Sequence, residues 1–266
     1  MNTFVKYEGA GNDFILIDDR LQDRLQVFSS ERILQLCHRR FGVGADGVIL
    51  LQLSQHADFR MRIFNSDGTE AESCGNGLRC LGRFLLDLGL AETNYSIEIM
   101  DRIVQIDYVD DLVAVDMGEP KDIKLHLETE RGAVHYVDTG VSHAIHFVEN
   151  AAMADMRILG PFFRHHPLFG AKGANANIAS LCSDGSIHVR TFERGVEGET
   201  LACGTGACAV AVIAAKLYGL TGPIAIIFPG GQLQISFKGG KIVMAGPARR
   251  VFKGEIESLA DRAVKK

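Results

Sequence analysis

The segment SCGNGLRC (73–80) returns in the second half of the chain as ACGTGACA (202–209), with Cys203 following Cys74 by 129 residues in a chain of 266. The same offset carries Gly75 onto Gly204, Gly77 onto Gly206, and GADGVI (44–49) onto GANANI (173–178). It also carries Val5, Tyr7 and Gly11 onto Val134, Tyr136 and Gly140. One residue out of step, MRIFN (61–65) matches VRTFE (189–193). Isolated matches arise by chance, but short motifs holding one register across half a chain do not. A period this long excludes a solenoid. The chain therefore reads as two homologous domains produced by duplication, each long enough to bury its own core.

The local patterns agree with that division. DFRMRIFN and SIHVRTFE alternate as strands do, and each leads through a Gly- and Glu-rich loop to its Cys-Gly-x-Gly. After the first, Leu78, Leu81, Leu85 and Leu88 recur at helical spacing, with Gly89 as the stop. After the second, residues 207–218 are apolar nearly all round, which predicts a deeply buried helix closed by Gly219. YSIEIM, VAVDMGEP, AIIFPG and IVMAGP read as further strands, and GEP at 118–120 as the domain boundary. The expected halves are 1–119 and 120–253. Residues 254–266 form a tail expected to pack back on the N-terminal half, with ESLADRAVKK as a short polar helix or frayed end.

Composition excludes several classes. The net charge of −5 gives no general affinity for nucleic acid or an anionic membrane. The opening MNTFVKYEGAGNDF lacks a basic segment followed by an apolar one, and ACAVAVIAAKLYG is interrupted by Lys216. Six cysteines without a leader fit reduced thiols in the cytoplasm better than a disulfide framework. Cys74 and Cys80 are too far apart for a paired zinc motif, and HRRFGVGADG lacks the Lys-Ser/Thr of a phosphate loop.

In each half a strand enters a glycine turn that opens a helix. The first N–H groups of a helix have no internal partner, and the helix dipole adds partial positive charge. Such an end holds an anion and makes a nearby thiol more acidic. Two halves facing each other would place two thiols on opposite sides of one carboxylate. That suits inversion of a carbon bearing hydrogen, with one sulfur removing the proton and the other supplying one. The helix ends would stabilise charge developing on the carboxylate in a closed, dry site.

GAGNDF, FNSDG, CGNG, ERGVEGET and ACGTGA together make the chain resemble the diaminopimelate epimerases along nearly its whole length. The resemblance implies an α+β fold of two pseudo-symmetric domains. Each is a mixed sheet around a central buried helix, with the active site in the cleft between them. It implies cofactor- and metal-independent conversion of L,L- to meso-diaminopimelate for lysine and peptidoglycan synthesis, and a homodimer. Cys74 and Cys203 would be the acid/base pair. Gly75, Asn76, Gly204 and Thr205 would hold the reacting end of the amino acid. Asn12, Asn65, Asn175 and Arg194 would bind mostly its distal end, and Glu193 an ammonium. Glu193 and His143 would adjust the protonation of the thiols.

Three positions depart from the family pattern: Ser73, Val141 and Gly170. Val141 replaces an amide, which predicts looser selection of the distal end and slow racemisation of a shorter acidic amino acid such as glutamate. Each assignment has a plainer alternative. A lone Cys is usually core, so Cys37, Cys80, Cys182 and Cys208 are read as structural. Asn12 and Asn175 also suit turns, Asp67 belongs to the NSDG turn, His143 suits a core strand, and Glu193–Arg194 suits an exposed one. A thiol–disulfide oxidoreductase would need Cys-x-x-Cys, which the sequence lacks. A binding module without chemistry gives no reason for a cysteine in both turns.

Overall fold

A computed structural model describes residues 2–21, 28–71, 74–90 and 93–256. Ser73 and the tail 257–266 lie outside the described residues. The first half runs β1 (Asn2–Gly9), β2 (Asn12–Asp18), α1 (Ser30–Cys37), β3 (Gly47–Gln52), β4 (Phe59–Asn65), α2 (Gly75–Asp87), β5 (Asn94–Ile99) and β6 (Arg102–Val109). The second runs β7 (Leu112–Gly118), β8 (Lys121–Leu127), β9 (Val134–Asp138), β10 (Ser142–Phe147), α3 (Met156–Arg164), β11 (Asn175–Leu181), β12 (Ile187–Glu193) and β13 (Gly198–Thr200). It continues with α4 (Gly204–Tyr218), β14 (Ile224–Phe228), β15 (Gly231–Lys238) and β16 (Lys241–Gly246) before a last strand, β17 (Arg249–Ile256).

Mutual contacts divide the chain into two compact units. One takes its described residues from Met1–Gly9, Asp13–Asp107 and Ala248–Lys266, the other from Ala10–Asn12 and Tyr108–Pro247. This differs from the boundary expected at 119/120. β7 belongs with the second unit because it pairs antiparallel with β16. β17 belongs with the first because it pairs antiparallel with β1 from Asn2↔Ile256 to Glu8↔Arg249.

The duplication is written into the strand pairing. In the first unit β2–β3 is parallel, β3–β4 antiparallel, β4–β5 parallel and β5–β6 antiparallel. In the second, β10–β11 is parallel, β11–β12 antiparallel, β12–β14 parallel and β14–β15 antiparallel. Each parallel step from β4 to β5 and from β12 to β14 is a crossover that carries the helix of its unit.

α2 buries Leu78, Leu81, Phe84 and Leu85, spaced as one helical face. Its end is a Schellman turn: Leu90 N–H donates to Leu85 C=O, and Gly89 N–H donates to Leu86 C=O, with Gly89 at φ +78°. Leu88, expected on the buried face, is the partly covered cap. α4 is apolar on every side and buried from Gly206 to Ala214. It packs among Val137, Ile145, Ile187, Val189, Ile226, Leu233 and Ile235 of the surrounding strands. Each fully buried Val or Ile contributes roughly 1.5–3 kcal/mol, so this helix is the centre of its unit's core. Gly219, left-handed at φ +66°, closes it with its N–H on Ala215 C=O.

Candidate active site

Both Cys-Gly-x-Gly turns place the cysteine at the cap of the helix that follows. Cys74 has extended backbone (φ −153°, ψ 110°), and its Sγ accepts the N–H of Gly77 at 3.4 Å. The sulfur thus stands where a Ser or Asp oxygen caps an ordinary helix, over the first free N–H groups of α2. A thiolate is the form those donors favour. Cys203 repeats the backbone (φ −131°, ψ 112°), and its carbonyl accepts Ala207 N–H at 2.9 Å. Its sulfur does not cap the helix. It lies 3.5 Å from the hydroxyl of Thr205, whose carbonyl accepts the Thr139 hydroxyl at 2.9 Å. The two thiols therefore share a fold position and differ in their partners.

The close approach in each turn depends on its second glycine. A Cβ on Gly77 would meet the Cδ1 methyls of Ile49 and Ile63, each at 3.0 Å. A Cβ on Gly206 would stand 2.6 Å from Asn177 Oδ1 and 3.3 Å from Cys203 Sγ.

Asn177 is a residue that sequence reasoning passed over. It is fully buried on β11. Its Nδ2 lies 3.1 Å from His143 Nδ1 and donates to the carbonyls of Ala144 at 3.1 Å and Asn175 at 3.3 Å. Its Oδ1 accepts the Thr191 hydroxyl at 2.9 Å. An Asn inside the buried strand NANIASL, whose side chain must find partners, was the available signal.

The structure places the other expected residues as follows. Asn175 pairs with His143 across the parallel β10–β11 ladder, is 4% exposed, and accepts Arg194 N–H on Oδ1 at 2.7 Å. Its carbonyl side is thus committed to fixing the Arg194 backbone. Glu193 ends β12 opposite Gly198. Asn12 opens β2 and groups with the second unit. In the first unit, Asn65 ends β4 and donates to Thr69 Oγ1 at 3.1 Å, while Asp67 accepts the Thr69 N–H and hydroxyl, as a turn residue does. Gly75 and Asn76 are the first, buried residues of α2. Val141 C=O accepts Thr139 N–H in the turn before β10.

All six cysteines are free thiols. Burial pushes the Cys37 thiol up to about 11 and the Cys80 thiol further up, as structural thiols require. Cys182, expected in the core, is instead only partly covered, in the turn that follows β11, where Gly185 N–H donates to its carbonyl. Its strand has ended one residue earlier, so its side chain lies at the rim.

Burial, assisted by the Arg194 charge, lowers the His143 imidazole to about 3. His143 is therefore neutral throughout the physiological range. Its ordinary value is 6.5, so the unfolded chain takes up a proton that the folded chain refuses. Stability attributable to His143 should be flat above pH 6.5 and fall as pH drops from there towards 3. Imidazole NMR resonances of His143 constant between about pH 5 and 8 would check this; a midpoint inside that window would contradict it.

Among the described residues no group of three His, Cys, Asp or Glu side chains could hold a metal, and no helix is long and apolar enough to cross a membrane.

Two units with one repeated strand order, each with a cysteine opening the helix of its crossover, define a duplicated α+β fold. The chain superimposes on a phenazine biosynthesis protein of the PhzF family from Bacillus anthracis with a TM-score of 0.77, at 17% identity, covering 96% of this chain and 99% of that one. It superimposes on a probable proline racemase from Agrobacterium radiobacter with a TM-score of 0.68, at 16% identity, covering 97% and 93%. At those identities the likeness is one of fold. The sequence goes further. The diaminopimelate epimerase family model matches residues 4–123 and 135–251. A diaminopimelate epimerase of Synechococcus sp. (strain JA-2-3B'a(2-13)) is 41% identical over 279 residues, 95% of this chain and 97% of that protein. One from Methanothrix thermoacetophila is 41% identical over 270 residues, covering 95% of each. The chain belongs to the diaminopimelate epimerase family.

Proposed function

We propose that this chain interconverts L,L- and meso-diaminopimelate by a two-thiol mechanism, supplying a precursor of lysine and peptidoglycan in the cytoplasm. The observation that carries the reading is the cysteine cap repeated at the same fold position in two duplicated units.

The reaction needs one sulfur on each face of the α-carbon. The thiolate form of one takes the α-hydrogen as a proton, and the thiol of the other gives its proton to the opposite face. The bond broken is Cα–H and the bond formed is Cα–H of inverted configuration; the two sulfurs exchange protonation states, which leaves the enzyme set for the reverse direction until proton exchange with water restores the starting form. The barrier is the weak acidity of a carbon beside a carboxylate. Backbone N–H groups at Gly75, Asn76, Gly204 and Thr205 stabilise the charge that develops on that carboxylate. Arg194 and the amides of Asn12, Asn65 and Asn175 take the distal end, Arg194 by its planar pair of donors. Glu193 meets an ammonium. His143, being neutral, serves by orientation through Asn177 rather than by carrying a proton. The chain works as a homodimer, a reading that rests on the family resemblance.

Purified protein incubated with L,L-diaminopimelate in deuterium oxide should form the meso isomer and acquire one deuterium at the inverted carbon. Absence of both would dispose of the reading. L-Glutamate should turn over far more slowly; no D-glutamate above background would remove the loosened selectivity inferred from Val141.

A further inference from the structure

Two loops carry residues assigned to substrate in the second unit. Residues 170–174 lead into Asn175, and the turn 194–197 between β12 and β13 carries Arg194. We propose that Arg164 is a positioning residue for both, acting through Glu197. The inference rests on the reading of Asn175 and Arg194 as substrate residues.

Arg164 is the last residue of α3 and is 8% exposed. Its guanidinium reaches both loops at once. Nη2 and Nε donate to Glu197 Oε1 at 2.7 and 3.2 Å, and Nη1 donates to Lys172 C=O at 3.0 Å. Its own carbonyl accepts Ala174 N–H at 3.2 Å, immediately before Asn175. A side chain on Gly173 would collide with that carbonyl and with Nη1, so the loop is drawn tight against Arg164.

Glu197 passes the hold to the Arg194 turn. The oxygen that receives Arg164 also accepts Gly195 N–H at 3.0 Å, and Glu197 N–H donates to Glu193 C=O at 2.8 Å. Asn175 completes the circuit by accepting Arg194 N–H. Two further features mark this carboxylate. Glu197 sits at φ +52°, a left-handed conformation that favours glycine. Its bonds to Gly195 and Arg164 hold its carboxyl below the usual range, as a fixed anion. A lysine at 164 has one point charge where arginine has a rigid fork, so it cannot serve Glu197 and Lys172 together.

In the full-length protein, Arg164→Lys should speed amide exchange by about tenfold in both 170–175 and 193–198. It should also raise KM for L,L-diaminopimelate by about tenfold, with kcat changed by less than about threefold, as loss of a charge-assisted bond predicts. Glu197→Gly removes the left-handed strain. A side chain without a bracing role therefore predicts a more stable protein with native KM, whereas the brace predicts faster exchange in 193–198 and the same rise in KM. Native exchange in either loop of Arg164→Lys, or native KM in Glu197→Gly, overturns the inference. Exchange is read without substrate, so failure of the unsubstituted protein to turn over would count against the proposed activity while the exchange result still decides the brace.

Discussion

Cys74→Ala and Cys203→Ala should each lower interconversion of L,L- and meso-diaminopimelate by about 10²–10⁴-fold, the range that a positioned proton-transfer group supplies. In the proposed mechanism neither sulfur can replace the other, because each serves one face of the carbon. A single remaining thiolate can still remove and return the α-hydrogen on its own face. Each variant should therefore keep exchanging deuterium into one epimer without inverting it, and the two variants should favour opposite epimers. Proton NMR in deuterium oxide reads both quantities in one sample. Near-native inversion in either variant would mean that one base suffices, and the two-thiol mechanism would fall.

The second large effect should come from a methyl group. Gly77 and Gly206 are the same position of the repeat, yet their alanine variants should differ. At Gly77 the added carbon meets two terminal isoleucine methyls, which can rotate away. Activity of Gly77→Ala should stay within about tenfold of native. At Gly206 it meets Asn177 Oδ1, and Asn177 cannot retreat. Its amide is held by the carbonyls of Ala144 and Asn175, and its oxygen by Thr191. The turn must move instead, taking Cys203 with it. A displacement of that kind costs on the order of 10²-fold in kcat. Steady-state kinetics on the two variants, with circular dichroism to confirm folding, compare them directly. Equal losses, or a larger loss in Gly77→Ala, would show that the Asn177 contact does not set the position of the sulfur.

Most of what the fold repeats could be read from the chain, because repetition is a property of spacing. The offset joining Cys74 to Cys203 located both helices, and the strands DFRMRIFN and SIHVRTFE fell where alternation put them. What spacing could not supply was pairing. VAVDMGEP looked like the end of the first half because its glycine and proline punctuate a strand. Its partner in the ladder, Lys241–Gly246, lies far along the chain and claims it for the second unit. The candidate site could be proposed from the sequence where rare residue types mark it, as at the cysteines. It was illegible where it is carried by hydrogen bonds between common ones. Nothing in the sequence sets Arg164 apart from the chain's other arginines until the carbonyl of Lys172 and the carboxylate of Glu197 converge on it. His143 shows the converse: its motif singled it out, but only its burial keeps the ring neutral.

The return of β17 to β1 has a consequence for how the molecule is made. Tyr108–Pro247 is one uninterrupted stretch that holds almost all of its unit, and it leaves the ribosome before Arg249–Ile256 does. The unit translated first must therefore wait, its outermost ladder unfilled, until the unit translated second is already available to condense. Chains ending at residue 248 and released from the ribosome should expose the β1 edge to proteases and chaperones, while the later-born half is resistant.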